Sequence, residues 1–289
     1  MEAGKQASLD GPRAKLDRAR LHLEALNDGI RAYTETDTHD FVDEVDLQTG
    51  DQIIRIRILK EPDNPTWGLI VGDFAHNLRS ALDHLVWQLV ILSGNEPSTA
   101  NQFPITRRRS DYWHPRGRRP SIRDRMLKGV APPHRAMIDF VQPHMGENPA
   151  ETTLAHLAWL SNVDKHNVIH GGIVRVTEPN EDMFDYRVSG AGGFADVSVE
   201  VGPLKDGAEV ARVNMFATKP DAQVEMEANI PVYIGFGERG FPNYAFNKLF
   251  GWVSGFVLSF EPVFRGEPHP ELPPDETEWP GPPASTEKG

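Results

Sequence analysis

NPTWGLIVGDFAHNLRSALDHLVWQLVILSG, residues 64–94, reads as one long helix. Asn64 can cap it, Pro65 suits a first turn where its missing N–H is not needed, and Gly94 suits the stop. Between them Ile70, Val71, Phe74, Leu78, Ala81, Leu82, Leu85, Val86 and Leu89 recur with a 3.6-residue period and build a broad apolar face. Such a face needs other elements to cover it. Residues 12–35 offer one, a second helix with Pro12 in its first turn behind Asp10 or Gly11. Its apolar residues Leu16, Ala19, Leu23, Leu26, Ile30 and Tyr33 recur in steps of three and four, a narrow seam expected to pack along the long helix. Shorter helices at about 134–141 and 150–164, with a last one over Phe246 to Phe260, complete the expected bundle.

The remainder alternates with period two. Phe41 to Lys60 predicts a hairpin turning at Thr49-Gly50-Asp51, with Ile53, Ile54, Ile56 and Ile58 on its second strand. Short runs at Ile173–Val176, Val197–Val201, Ala211–Phe216 and Val224–Phe236 are separated by Gly, Pro, Asn and Asp, and Gly190 to Gly193 reads as a turn. The expected fold is α+β, a helical bundle built on the long amphipathic helix and packed beside a mostly antiparallel sheet. Residues 1–265 are expected to share one core, with helices over about 12–166 and 241–264 and a β-rich part over about 168–237. Residues 95–131 read as loop, and the Pro-rich acidic tail 266–289 as disordered.

Composition narrows the function. With no cysteine among 289 residues, disulfides, thiolate metal sites and cysteine nucleophiles are excluded. Met1 to Asp10 is polar and carries no signal-sequence pattern, which together with the missing cysteines points to the cytoplasm. The most apolar stretch, Tyr244 to Phe264, is broken by Asn247, Lys248, Ser254, Glu261 and Pro262, so a buried terminal helix is expected and not a membrane span. Its Gly251 and Gly255 suggest close packing against neighbouring elements. A formal net charge of −12 opposes general nucleic-acid affinity. Against it stands RRRSDYWHPRGRRPSIRDR, residues 107–125, where eight arginines face two aspartates.

On the long helix Asp73, His76, Asn77, Ser80, Asp83, His84 and Trp87 fall on one side, opposite the aliphatic face. Asp73 and Asn77, His76 and Ser80, and Ser80 and His84 are four residues apart, close enough to touch. A helix needs a wet face, and such a stripe can be simply solvated or can pack against another helix. Its residues nevertheless differ from the Lys, Glu and Gln usual on a solvated face and are weaker helix formers.

Arg79-Ser-Ala-Leu-Asp-His84 resembles the Arg, four residues, His pattern of HEPN ribonucleases. The longer segment GDFAHNLRSALDHL, together with LSNVDKHN from Leu160 to Asn167, is similar to two elements of an uncharacterised bacterial family. The HEPN resemblance implies a metal-independent endoribonuclease with no cofactor, RNA as substrate and pairing of two copies into a homodimer. By motif position His84 would be the acid/base that helps activate the ribose 2′-hydroxyl, and Arg79 would stabilise phosphate charge. Asn77, Ser80 and Asp83 would orient them. An imidazole titrating near neutrality and a fixed fork of guanidinium donors suit that chemistry.

Three other readings stay open. One is a non-catalytic binding or scaffolding protein with a structural polar helix face. Another is an oxygen and nitrogen metal site, with Asp73, His76 and His84 joined by Asp164, His166 or His170, although the spacing matches no established ligand pattern. Lys165 and His166 also suit a helix C-terminus, where the dipole favours cations. The third concerns Arg107, Arg108, Arg109, Arg116, Arg118 and Arg119, which with Tyr112, Trp113 and His114 interleaved can track an RNA backbone and stack a base, or else pair with the acidic remainder. A phosphate-binding Gly-rich loop, a nucleophile elbow and a dinucleotide fingerprint are all missing from the sequence.

Overall fold

The computed structural model describes residues 6–62, 64–115, 117–166, 169, 171–175, 184–189, 192–199, 202–217, 223–228, 232–238 and 240–267. The expected tail lies outside them from residue 268 onward. The chain is α+β and divides into two compact units. One is drawn from Met1–Arg20, Ala75–Asn162 and Leu249–Gly289, the other from Leu21–Phe74 and Val163–Lys248.

The first unit is helical. It takes the beginning of α1 (Asp10–Thr34), most of α2 (Asn64–Leu92), the short α3 (Arg109–Trp113) and α4 (Ile122–Met126), then α5 (Pro132–Phe140), a 3-10 turn at Pro143–Met145, most of α6 (Thr153–His166), the end of α7 (Asn243–Leu258) and α8 (Glu261–Phe264). Helix α2 starts and stops where Asn64 and Gly94 predict, and Gly94 takes φ +74, the left-handed conformation that ends a helix at little cost in glycine. Phe74, Ala75, Leu78, Ala81, Leu82, Leu85, Val86, Leu89 and Val90 are fully buried along it. The α1 seam is buried as expected, and within this unit α1 lies antiparallel to α2. Ser8 N–H donates to Gln88 Oε1 at 3.0 Å, while three residues on the His84 ring faces Gly11.

Residues 95–131 are not plain loop, since α3 and α4 lie within them. Five residues are too few to show an apolar period, and long-range contacts hold these turns instead. Ser121 caps α4 by accepting from the Asp124 N–H at 3.0 Å.

The second unit carries the described strands beside the remaining helical segments. Strands β1 (His39–Val45) and β2 (Gln52–Ile58) form the expected hairpin, in register from His39 with Ile58 to Val45 with Gln52. They join β7 (Glu209–Ala217) and β5 (Gly192–Val199) in the antiparallel order β1-β2-β7-β5. A second sheet has the order β10-β9-β3-β6, built from β3 (Gly171–Arg175), β6 (Gly202–Pro203), β9 (Tyr233–Phe236) and β10 (Phe241–Pro242). Strands β4 (Phe184–Ser189) and β8 (Gln223–Ala228) pair separately. The run read as Val224–Phe236 is therefore two strands in different sheets, and Gly192 and Gly193, read as part of a turn, open β5. Phe246 of α7 packs edge-on against Phe74, Phe236 and Phe241 at 5.0–5.6 Å, which seats helix on sheet. On the sheet itself Arg212 grips Glu209 with two nitrogens and reaches Asp46 at 3.0 Å, tying the β1–β2 turn to β7.

Among the described residues no helix is long and apolar enough to cross a membrane. Gly251 and Gly255 do not mark close packing, because a Cβ at either meets nothing within 4 Å. Gly235 is the opposite case. A Cβ there would lie 2.5 Å from Val174 Cγ1 and 2.8 Å from the Gly240 carbonyl oxygen. Gly235→Ala is expected to destabilise the protein by about 1–3 kcal/mol through overpacking. Gly251→Ala is expected to stabilise it by about 0.5–1 kcal/mol, because it removes a flexible residue from an open helix face. Urea unfolding of the two variants, read as opposite shifts of midpoint, checks both.

Candidate functional site

Part of the polar side of α2, at Asp83 and Arg79, is occupied by the chain's own backbone. After Gly94 the chain returns over the helical unit and buries Phe103 completely, and an irregular buried segment must find partners for its peptide groups. Asp83 and Arg79, one turn apart, supply them. The Asp83 carboxylate accepts the Phe103 N–H at 2.8 Å, and Arg79 Nη2 donates to the Phe103 carbonyl at 2.5 Å. The two side chains also pair with each other at 3.4 Å and are about three-quarters buried. Gln142, buried, continues the pattern by donating to the Pro104 carbonyl at 2.8 Å and accepting the Thr106 N–H at 3.3 Å. Asn101 donates to the carbonyls of Met126 and Lys128 at 3.1 and 2.8 Å.

The other members of the stripe are dispersed. Asn77 is buried, Ser80 and Trp87 are half-buried, and Asp73, His76 and His84 are exposed. His76 Nε2 stands 3.5 Å from Ser80 Oγ, at the limit of a hydrogen bond. Five residues of helix set Arg79 and His84 about 140° apart around the axis. The imidazole of His84 turns toward Gly11 while the guanidinium of Arg79 turns toward Phe103.

The second segment does meet the first. A Cβ at Gly72 would run into the carboxylate of Asp164, so Asp164 packs against α2 beside Asp73. The side chains of Lys165 and His166, and all of Asn167 and His170, lie outside the described residues. Among the described residues no three His, Asp or Glu side chains are grouped to hold a metal ion.

Directly after Thr106 comes the arginine segment. Arg107, Arg108, Arg118 and Arg119 are exposed and form no ion pair with a described residue, Arg109 is half-exposed, and Arg116 lies outside the described residues. Arg123 is different. It grips Asp139 of α5 through Nε at 2.9 and 3.0 Å and Nη2 at 2.7 Å, and lies 4.7 Å from the Trp113 ring centre. The Tyr112 hydroxyl donates to the same carboxylate at 2.5 Å. Burial, followed by the Asp139 charge, pushes the Tyr112 hydroxyl above its usual range, which keeps it a donor. Burial works against the charge on Arg123, but the Asp139 bonds outweigh it and raise the guanidinium further.

His144 packs on the Tyr112 ring at 5.0 Å, and its Nδ1 lies 3.2 Å from the Thr106 carbonyl, which can only accept, so the proton sits there. Burial first, and then the charge of Arg109, depress its pKa against the pull of that carbonyl and of Asp139. The network of Tyr112, Arg123, Asp139 and His144 escaped the sequence reading, because its members lie up to 32 positions apart; only Ser121, three residues before Asp124, gave a local signal.

Comparison with family models, with characterised proteins and with solved structures finds no match to this chain.

Removing either half of the Phe103 hold leaves a buried peptide group unpaired. Asp83→Ala and Arg79→Ala are each expected to cost about 1–3 kcal/mol. Because they act on one residue, the double variant should lose less than the sum of the two. Equilibrium unfolding of the four proteins in urea checks this, and strictly additive or negligible losses contradict it.

Proposed function

We propose that the protein is a non-catalytic binding protein that takes a polyanion, RNA first among candidates, on its arginine segment, and that the polar face of α2 serves to hold that segment in place. The observation that carries this reading is the pair of hydrogen bonds from Arg79 and Asp83 to the Phe103 peptide groups, four residues before Arg107. A guanidinium committed to a peptide carbonyl is not available to a scissile phosphate, whereas Arg107, Arg108, Arg118 and Arg119 are exposed and form no ion pair with a described residue. In a chain of net charge −12, a local concentration of unpaired guanidinium groups is where a polyanion would be attracted and the rest of the surface would repel it. The exposed imidazoles of His76 and His84 keep the HEPN-like endoribonuclease, acting as a pair of copies, as the second reading.

One titration separates the two. Labelled single-stranded RNA, followed by anisotropy at rising salt and then run on a gel, is expected to bind with a steep salt dependence and to remain intact. Each arginine among Arg107, Arg108, Arg118 and Arg119 that contacts a phosphate should, when replaced by alanine, lower the log–log salt slope by about 0.7. No binding at low salt, or binding indifferent to these replacements, removes the proposal. Cleavage lost in His84→Ala would instead establish the nuclease.

A further inference from the structure

Thr106, the residue before the arginine segment, is held at both of its peptide groups by two side chains two positions apart. Gln142 accepts its N–H at 3.3 Å, and His144, in the 3-10 turn Pro143–Met145, donates from Nδ1 to its carbonyl at 3.2 Å. The Thr106 hydroxyl oxygen lies 3.4 Å from the same nitrogen. Thr106 is buried and Arg107 is exposed, so these bonds mark the boundary between anchored chain and arginine segment. The two holders differ in one respect. An amide keeps its charge state at every pH, whereas an imidazole takes up a second proton near neutrality.

With Nδ1 already protonated for the Thr106 carbonyl, that second proton enters at Nε2, an atom that is buried and has no hydrogen-bond partner among the described residues. The charged and titratable groups around the ring do little to compensate. From α3 come Tyr112, with its ring 5.0 Å away, and the charge of Arg109, which opposes a second cation. From α5 comes the favourable charge of Asp139, but its carboxylate is already bonded to Arg123 of α4 and to the Tyr112 hydroxyl. A buried imidazolium with an unpaired N–H is costly, and turning out to water removes the cost.

We propose that His144 is a pH-operated latch on the arginine segment: the neutral ring holds the Thr106 carbonyl and so fixes the chain just before Arg107, and the protonated ring releases it. The latch does not depend on what the arginines bind. Burial foremost, against the pull of the Thr106 carbonyl, and then the Arg109 charge keep the folded ring neutral to lower pH than a free imidazole. The folded chain therefore binds less proton here than the unfolded one. The stability this bond contributes is whole above the ordinary imidazole range and is lost as pH falls from about 6.5 through the lower value of the folded ring. Release strips the Thr106 carbonyl of its partner, so loosening is expected at Arg107 and Arg108 and not at Phe103, whose bonds come from α2.

The test is an NMR titration of the full chain from about pH 8 to about pH 4.5, following the His144 ring nitrogens and the relaxation of the Phe103, Arg107 and Arg108 amides. Expected at neutral pH is a ring protonated on Nδ1. On acidification it should titrate with a midpoint below about 6.5, and the Arg107 and Arg108 amides should gain motion with the same midpoint while Phe103 stays rigid. His144→Asn keeps an N–H for the carbonyl but cannot titrate in this range, and should abolish the pH dependence of the two arginine amides. Arg109→Gln, which removes the opposing charge, should raise the midpoint of ring and amides together. A ring that titrates at or above the ordinary imidazole value overturns the latch. So do arginine amides whose motion does not follow the ring in the unaltered chain or in Arg109→Gln, or whose pH dependence survives in His144→Asn.

Discussion

Phe103 is held at both of its peptide groups by two side chains one turn apart on α2, and much of the helical unit follows from that constraint. A buried segment without regular structure is costly unless every N–H and carbonyl finds a partner. Asp83 and Arg79 satisfy Phe103, Gln142 satisfies Pro104 and Thr106, and Asn101 reaches across to close the loop after α4. The side chain so secured fills the core against Phe256 of α7, with ring centres 5.6 Å apart. Polar bonds and apolar burial thus act on the same residue.

The consequence for function is one of position. Thr106 is the last residue of the secured segment, and the exposed arginines begin at the next one. Behind them a second carboxylate, Asp139, gathers Tyr112 and Arg123, so the positive charge of Arg123 is neutralised internally while that of its neighbours is left facing water. An arginine-rich stretch can be a solvated face or the partner of nearby acids. Here the division of labour between Arg123 and the exposed arginines separates structural charge from charge that remains available.

How legible this was from sequence depends on the range of the interaction. Helix α2 was readable because its buried residues repeat without interruption and Pro65 and Gly94 mark its ends; the β1–β2 hairpin was readable from Thr49-Gly50-Asp51 and the isoleucines that follow. Strands β8 and β9 were fused into one run because alternation shows that residues are in strands but not in which sheet. Helices α3 and α4 were hidden because a five-residue turn is stabilised by Tyr112–Asp139 and the Ser121 cap and not by periodicity. On α2 the polar residue types were visible, but their use was not. Arg79 and Asp83 bond to a peptide 20 residues or more further along, and a backbone group accepts or donates irrespective of its side chain, so nothing in the sequence around Phe103 announces the contact.

Amide hydrogen exchange at Phe103 tests this account most directly. If the Asp83 carboxylate holds that N–H, the Phe103 amide exchanges as slowly as the amides in the middle of α2 and accelerates by orders of magnitude in Asp83→Ala, with the α2 amides little changed. A Phe103 amide that exchanges at the rate of an open loop in the unaltered protein would contradict it, and the polar face of α2 would then be free for the chemistry of a ligand.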